Sequence, residues 1–252
     1  MNSRDVMMAF FAALGAEQNA SSLRPVMIML AGPNGSGKST LWNKVIKPAL
    51  GEFARDWEYI NADDEVREVV DEIAGGKHVR LDSLPAYQLK DLQLQAQKNT
   101  TDQRRRLIAA TSPRGFIFET VFSDTGGHKL AELRDGRENQ FKTTAIMVNA
   151  NHVETLIERV HRRKETGEHG VDPDKQRERY PRVLANMSDS LAVVEVVVLV
   201  DNSLQNEDAT PAFRFVALAK DGILVAAVSD LPPWAQQVLQ GLPTPRSTDI
   251  KH

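Results

Sequence analysis

A glycine-rich segment near the N-terminus constrains the fold of this chain more than any other feature. Residues 31–40 read AGPNGSGKST, follow the apolar run Val26 to Leu30, and open a segment of helical pattern. The spacing G-x-x-x-x-G-K-S is that of a P-loop, in which glycines let backbone N–H groups surround phosphate oxygens. Because strand, loop and helix occur in the order that this motif requires, the segment predicts a phosphate-binding loop in an α/β domain.

The residues of the loop have separate expected roles. Lys38 carries the charge that reaches the β- and γ-phosphates, and the Ser39 hydroxyl is the expected Mg²⁺ ligand. The sequence therefore predicts ATP and Mg²⁺ as cofactors. The predicted nucleotide-binding residues are Gly32, Pro33, Asn34, Gly35, Ser36, Gly37, Lys38, Ser39 and Thr40.

Composition narrows the class of protein. The chain has 252 residues, which fits one large α/β domain with additions. It contains no cysteine, so a disulfide framework, a thiolate metal site and a cysteine nucleophile are excluded. The net charge is −3 and there is no long basic stretch apart from Arg104 to Arg106, which we interpret as a solvated helix face. Nucleic acid is therefore not an expected partner.

The first residues allow two interpretations. Val6 to Ala16 is an apolar stretch about as long as the core of a signal peptide, but Asp5 offsets the charge of Arg4. A short amphipathic helix that packs on the domain is favoured, and no run approaches the roughly 20 apolar residues of a membrane span. We expect a soluble, cytoplasmic protein with a helical extension over residues 1–24, a P-loop kinase domain over 25–242 and a disordered tail over 243–252.

Hydrophobic patterns alternate between strand and helix along the chain. This alternation predicts an α/β, P-loop kinase-like three-layer fold with a mostly parallel sheet and a helical lid region, closed by a C-terminal β-hairpin and helix. Predicted strands cover residues 26–31, 57–61, 115–119, 141–148 and 193–200, with a hairpin over 213–228. Predicted helices cover residues 38–47, 64–74, 85–110, 152–164 and 232–239.

Polar residues directly follow three of the predicted strands. They are the P-loop, the pair Asp63 and Asp64, and the pair Glu119 and Thr120. Ligands of parallel α/β sheets bind beyond the carboxyl ends of the strands. We therefore expect these three groups to share one rim of the sheet.

The two aspartates supply a candidate general base. Asp63 is our choice to accept the proton of a substrate hydroxyl, a role that contributes about 10² to 10⁴ in rate. For Asp64 an N-cap of the following helix is the favoured interpretation, and contact with substrate is the alternative.

Two acidic residues end apolar strands in the pattern expected of a magnesium-positioning or substrate-binding carboxylate. Glu119 follows FIF and Asp201 follows VVLV. We favour Glu119, with Thr120, for the site. Asp201, followed by Asn202 and Ser203, is interpreted as a turn at the end of a strand.

Arginines farther along the chain could stabilise a transferring phosphoryl group. Arg159, Arg162 and Arg163 share one face of a predicted helix, and Arg177 and Arg179 follow a charged, glycine-containing loop over residues 164–175. A lid that closes over phosphate and excludes water would need such residues. The alternative is ordinary solvated surface.

Taken together, these motifs resemble the zeta-toxin family of small P-loop kinases. The resemblance rests on AGPNGSGKSTL, YINADD, FIFETVFSD, the segment from Gly167 to Tyr180, and VVLVDNS. It covers about residues 26–203. The combination of NAD after the second strand with FET after the third is more specific than the P-loop alone.

The resemblance implies a kinase that uses ATP to phosphorylate a hydroxyl of a nucleotide sugar similar to UDP-N-acetylglucosamine. It implies that Lys38 holds phosphate, Asp63 acts as base and Glu119 binds substrate, with Arg163 and Arg179 as the arginines that contact phosphates. A toxin of this kind is expected to have an antitoxin protein as partner. The sequence departs from many relatives in the lid, where Glu168 separates Gly167 from His169.

Two other functions remain open at this stage. One is a housekeeping kinase of a small hydroxyl-bearing metabolite, which would differ from a toxin only in its acceptor pocket. The other is a nucleotide-dependent switch or binding module, whose biological activity would not need Asp63.

Overall fold

A seven-stranded sheet forms the centre of the molecule. The structure is a computed structural model that describes residues 1–15, 24–77, 79–111, 115–165, 170–204 and 212–243. The sheet order is β2-β3-β1-β4-β5-β6-β7, in which the first five strands are parallel and the last two are antiparallel additions. The strands are β1 (Val26–Ala31), β2 (Glu58–Ile60), β3 (Phe116–Thr120), β4 (Lys142–Asn149), β5 (Val196–Asp201), β6 (Arg214–Lys220) and β7 (Ile223–Ala227).

Helices connect the strands and pack beside them. They are α1 (Ser3–Gly15), α2 (Lys38–Leu41), α3 (Lys47–Leu50), α4 (Ala62–Ile73), α5 (Ala86–Ile108), α6 (His128–Glu138), α7 (Val153–Glu165), α8 (Pro173–Ser190) and α9 (Pro233–Leu239). Short 3₁₀ turns cover Gly51–Ala54 and Leu81–Ser83. The mostly parallel α/β sheet and the C-terminal hairpin with its helix agree with the expectation from the sequence. In the described part of the chain, every helix is too short or too polar to cross a membrane.

The helix after the P-loop contains a widened turn. Between α2 and α3 the chain is π-helical over Trp42–Ile46, and the Lys47 N–H donates to the carbonyl oxygen of Trp42, five residues back. Pro48 explains the widening, because it has no N–H and its ring would clash with the carbonyl of the preceding turn. The helical region thus extends beyond the predicted end at residue 47.

The N-terminal helix α1 belongs to the main hydrophobic core. Val6, Phe10 and Leu14 are spaced along one helix face and are buried. The Phe10 ring lies 6.1 Å from the ring of Phe215 on β6. At the end of the helix, the buried ammonium of Lys142 donates to the carbonyl of Ala13. The described part of the N-terminal segment is thus an amphipathic helix packed on the sheet.

Helices α6 and α8 are absent from the sequence prediction. The beginning of α8 is clear in the structure, because the Asp172 side chain accepts from the backbone N–H of Asp174 and of Lys175, and Pro173 occupies the first turn. At its end, the N–H groups of Val193 and Val194 bond to the Ser190 carbonyl. The predicted strand start at residue 193 is therefore wrong, and β5 begins at Val196.

Arg104 does not lie on a solvated helix face, and that interpretation is wrong. Its side chain is 4% exposed, pairs with the carboxylate of Glu132, and lies 4.9 Å from the centre of the Phe118 ring. Arg105 and Arg106 are exposed, as expected. The buried ion pair joins α5 to α6 beside Phe118 and so supports β3, the strand that carries Glu119.

Candidate active site

The P-loop has space only for glycine at critical positions. Gly35 and Gly37 have φ angles of 81° and 94°, which L side chains rarely adopt. A Cβ on Gly35 would lie 2.4 Å from the Leu156 carbonyl oxygen, and one on Gly37 would lie 2.6 Å from Nδ2 of Asn202. The loop is therefore packed so closely against α7 and the residue after β5 that only glycine fits at these two positions.

Residues at the ends of two strands, one on each side of β1, brace the loop. The Asn202 side chain, just after β5, donates to the Ser36 carbonyl at 2.8 Å. On the other side, the Gly32 N–H donates to the carbonyl of Thr120 at the end of β3, at 3.2 Å. Thr120 also accepts from the N–H of Phe122 through Oγ1 at 3.1 Å. Thr120 thus holds the loop after β3 through its side chain and the first glycine of the P-loop through its carbonyl oxygen.

Lys38 is buried at the end of the P-loop. Its Nζ donates to the carbonyl oxygens of Gly32 at 2.9 Å and of Pro33 at 3.2 Å, and lies 3.5 Å from Oε1 of Glu119. Burial lowers the pKa of Lys38, while the negative charges of Glu119 and Asp63 oppose that shift. The lysine is therefore a desolvated cation for which phosphate oxygens are suitable partners.

Glu119 lies at the centre of the site. Its Oε2 accepts from the Ser39 hydroxyl at 3.0 Å and from the Tyr59 hydroxyl at 2.6 Å. Burial and the neighbouring Glu119 charge raise the pKa of Tyr59, whose ring stacks on Trp42 with centroids 5.7 Å apart. Tyr59 is not among the residues that the sequence predicts for the site. Its one available signal is its position two residues before NAD, at the end of a strand.

The two aspartates lie in the first turn of α4. Asn61 caps this helix, because its Oδ1 accepts from the Asp63 N–H at 3.1 Å, so the interpretation of Asp64 as the N-cap is wrong. Asp63 acts electrostatically on Lys38. Partial burial, followed by repulsion from Glu119, raises the pKa of Asp64. Each carboxylate thus interacts electrostatically with one member of the Lys38–Glu119 pair.

Four of the five candidate arginines fall into two groups, and the fifth, Arg159, is partly buried and interacts electrostatically with Asp201. Arg163 acts electrostatically on Lys38, and Arg179 lines a small cleft together with Pro33 and Asn34 of the P-loop. Arg162 instead pairs with Glu158 on the same helix, and Arg177 pairs with Glu154. Arg163 and Arg179 are the two that the sequence favours, and their contact with phosphate stays a prediction. Residues 166–169, where the lid motif falls, lie outside the described residues.

Asp201 has structural partners. Its Oδ1 accepts from the indole N–H of Trp234 at 2.9 Å and from the Ser203 hydroxyl at 2.7 Å. Of the two acids that end apolar strands, Glu119 is thus the one that contacts Lys38 and Ser39.

The oxygen atoms of Ser39 and Glu119 suit a magnesium ion. Mg²⁺ prefers hard oxygen ligands and is usually bound by one or two protein groups together with substrate phosphates. Within the described residues, no group of three or more His, Asp or Glu side chains could hold a metal without such help. A hydroxyl and a carboxylate 3.0 Å apart, beside a phosphate cradle, fit a metal that arrives with a nucleotide.

This fold and loop define a P-loop kinase-like α/β domain. A family model described as an AAA domain matches residues 31–180, which is more than half of the chain. The chain therefore belongs to the AAA domain family of P-loop proteins. A search of curated proteins found no significant match.

Several solved structures share the fold. One is from the PezAT chromosomal toxin–antitoxin system of Streptococcus pneumoniae, with 14% identity, a TM-score of 0.54, and coverage of 96% of this chain and 88% of that one. Another is the AvrRxo1-ORF1:-ORF2 structure with ATP, with 14% identity, a TM-score of 0.54, and coverage of 95% and 71%. A structure of AvrRxo1-ORF1:AvrRxo1-ORF2 with sulfate has 15% identity, a TM-score of 0.51, and coverage of 94% and 81%. At these identities the comparisons show a shared fold, the P-loop kinase-like α/β fold described above.

Proposed function

We propose that this protein is an ATP- and Mg²⁺-dependent phosphotransferase whose acceptor is a hydroxyl of a small metabolite. The observation that carries the proposal is the position of Glu119. It contacts Ser39 and lies 3.5 Å from Lys38, at the rim of the sheet that also carries Asp63 and Asp64. Phosphoryl transfer depends mainly on positioning and on electrostatic stabilisation, which such a constellation provides.

When bound, ATP with Mg²⁺ would supply the phosphoryl group and neutralise part of its charge. Lys38 would exchange the carbonyl oxygens of Gly32 and Pro33 for phosphate oxygens. Ser39 and Glu119 would hold the metal, and Asp63 would accept the proton of the acceptor hydroxyl.

Residues around this centre would stabilise the reacting groups. Arg163 and Arg179 would counter negative charge on the transferring group, consistent with their positions near Lys38 and the P-loop. Asp64 and Thr120, beside Glu119 at the same rim, would contact the acceptor.

We further propose a nucleotide sugar similar to UDP-N-acetylglucosamine as acceptor. The support is the sequence resemblance to zeta toxins, whose NAD and FET motifs correspond here to residues 61–63 and 118–120. The toxin–antitoxin setting of the PezAT structure supports a toxin function with an antitoxin partner. A housekeeping kinase with another acceptor is the alternative, and it predicts that expression of the protein does not arrest growth.

The test is ATP consumption by the purified protein, with and without UDP-N-acetylglucosamine, with products resolved by mass. Asp63→Asn should abolish the phosphorylated product while nucleotide binding persists. Glu68→Gln, on the exposed surface of the same helix, makes the same charge change and should retain activity. A nucleotide sugar that stays unmodified by a protein that binds ATP would refute this acceptor. Biological activity that survives Asp63→Asn would favour the switch or binding module.

A further inference from the structure

Tyr59 and Glu119 leave the sheet on the same face. Tyr59 on β2 pairs in register with Ile117 on β3, and Glu119 follows Ile117 by two residues. Side chains two residues apart in a strand lie on the same face. The intervening Phe118 points to the opposite face, where it contacts the guanidinium of Arg104. The strand register therefore brings the Tyr59 hydroxyl to the Glu119 carboxylate.

Three groups hold the Glu119 carboxylate. The Tyr59 hydroxyl and the Ser39 hydroxyl both donate to Oε2, at 2.6 Å and 3.0 Å, and the Lys38 ammonium lies 3.5 Å from Oε1. Lys38 and Ser39 belong to the P-loop and would turn toward phosphate and metal when nucleotide binds. Tyr59 lies outside the P-loop, so nucleotide binding does not require its hydroxyl to leave Glu119. The Tyr59–Glu119 hydrogen bond, the shortest of the three contacts, can therefore persist when nucleotide is bound.

The Tyr59 ring is itself held in place. It stacks on Trp42 with an interplanar angle of 18°, and Trp42 is 4% exposed. Trp42 lies in the helical segment that begins with Lys38. The ring thus extends from the outer strand β2 onto the P-loop helix. The stacking contact leaves its hydroxyl little freedom to turn away from Glu119.

We propose that Tyr59 is a positioning residue that keeps the Glu119 carboxylate directed at the magnesium site while Lys38 and Ser39 bind the nucleotide. This inference rests on the proposed function, because it assigns a metal-binding role to Glu119. It adds a residue from β2 to a site otherwise formed by the P-loop, α4 and the end of β3.

The test compares Tyr59→Phe with the wild type in the binding of a non-hydrolysable ATP analogue, measured by calorimetry over a series of Mg²⁺ concentrations. The phenyl ring keeps the stack on Trp42, so the variant should fold. Affinity for the Mg²⁺-loaded analogue should fall about tenfold, the scale of one lost hydrogen bond to a charged group. Affinity in EDTA should stay within about twofold. Tyr87→Phe, a matched change at a tyrosine that is 66% exposed, should match the wild type.

A second comparison separates positioning from general packing. In a Glu119→Gln background, Tyr59→Phe should cause no further loss of Mg²⁺-dependent binding, because the group it positions is already altered. Equal losses in both backgrounds, or Mg²⁺ dependence in Tyr59→Phe equal to that of the wild type, would overturn the inference. If Tyr59→Phe proves unstable, Glu119→Asp shortens the carboxylate and should cause the same Mg²⁺-dependent loss; unaltered binding would count against the inference.

The binding readout needs no acceptor. A wild-type protein that binds the analogue in a Mg²⁺-dependent manner but phosphorylates none of the acceptors tried would contradict the proposed reaction, and the Tyr59→Phe comparison would still decide the role of Tyr59. Loss of the Mg²⁺ effect in Tyr59→Phe alone would support the role of Tyr59 whatever the acceptor.

Discussion

The Glu119→Gln substitution tests whether Glu119 balances the buried charge of Lys38. Lys38 is 6% exposed and Glu119 is 13% exposed, with 3.5 Å between Nζ and Oε1. Glutamine is nearly isosteric and can still accept from Tyr59 and Ser39. The substitution therefore removes the negative charge and little else.

The expected loss of stability follows from this geometry. Two unit charges 3.5 Å apart attract by about 5 kcal/mol at an effective dielectric constant near 20. Part of this attraction is offset by the desolvation of both groups, and breaking one partner of a buried pair costs about 3–5 kcal/mol. Because Lys38 retains two carbonyl partners, we expect a loss at the low end, about 3 kcal/mol, or roughly 6–12 °C in Tm for a domain of this size.

The pH dependence gives this prediction its signature. The folded pKa of Lys38 lies below its unfolded value of 10.5, so the buried ammonium destabilises the fold at neutral pH, and deprotonation relieves that cost as pH rises. Glu119→Gln lowers the folded pKa further. The difference in free energy of unfolding between wild type and variant should therefore be greatest near pH 7 and should shrink as pH rises toward 10.

The assay is denaturant unfolding of the nucleotide-free protein at several pH values between 7 and 10. Lys38→Met is the control background, in which Glu119→Gln should cost much less because no buried cation remains. A deficit that does not change with pH, or an equal loss in the Lys38→Met background, would refute the role given to Glu119.

Three further substitutions test separate parts of the structure. Gly37→Ala should lower stability by about 1–3 kcal/mol, because φ is 94° and the new Cβ would lie 2.6 Å from Asn202 Nδ2. Thermal unfolding and nucleotide binding measure the loss, and wild-type values for both would contradict it. Trp234→Phe should cost about 1–3 kcal/mol in denaturant unfolding, because it leaves buried Asp201 without its indole donor; an unchanged free energy would contradict this. Asp64→Asn should stabilise the protein at pH 7, because the raised pKa of Asp64 means that its charge is disfavoured in the folded state. The gain in free energy of unfolding should disappear as pH falls toward 4. A gain that does not change with pH would argue against the pKa shift.

The sequence predicts the parallel part of the fold well, for a physical reason. Strands buried on both faces require continuous apolar runs, as in Val196–Asp201, and such runs are visible without knowledge of tertiary contacts. The P-loop is equally local, because its glycines are needed by the backbone of the loop itself. Rim residues follow from the rule that carboxyl ends of parallel strands share one edge.

Features that depend on contacts between distant segments are the ones that the sequence does not reveal. Arg104 resembles its exposed neighbours Arg105 and Arg106, and only the approach of Glu132 from α6 makes it a buried ion pair. Likewise, Asn61 and Asp64 are both good capping residues, and the path of the chain out of β2 decides that Asn61 caps α4. Tyr59 belongs to the same class, because its partner Glu119 is 60 residues away in the sequence.

The bracing of the P-loop limits what can move when nucleotide binds. Asn202 after β5 holds the Ser36 carbonyl, and Thr120 at the end of β3 holds the Gly32 N–H, so the backbone of the cradle is fixed by strands on both sides of β1. The Lys38 ammonium, by contrast, contacts carbonyl oxygens and Glu119, and phosphate oxygens can replace these partners. Nucleotide binding should therefore reorient side chains within a preformed loop. A preformed backbone reduces the conformational entropy that nucleotide binding must overcome.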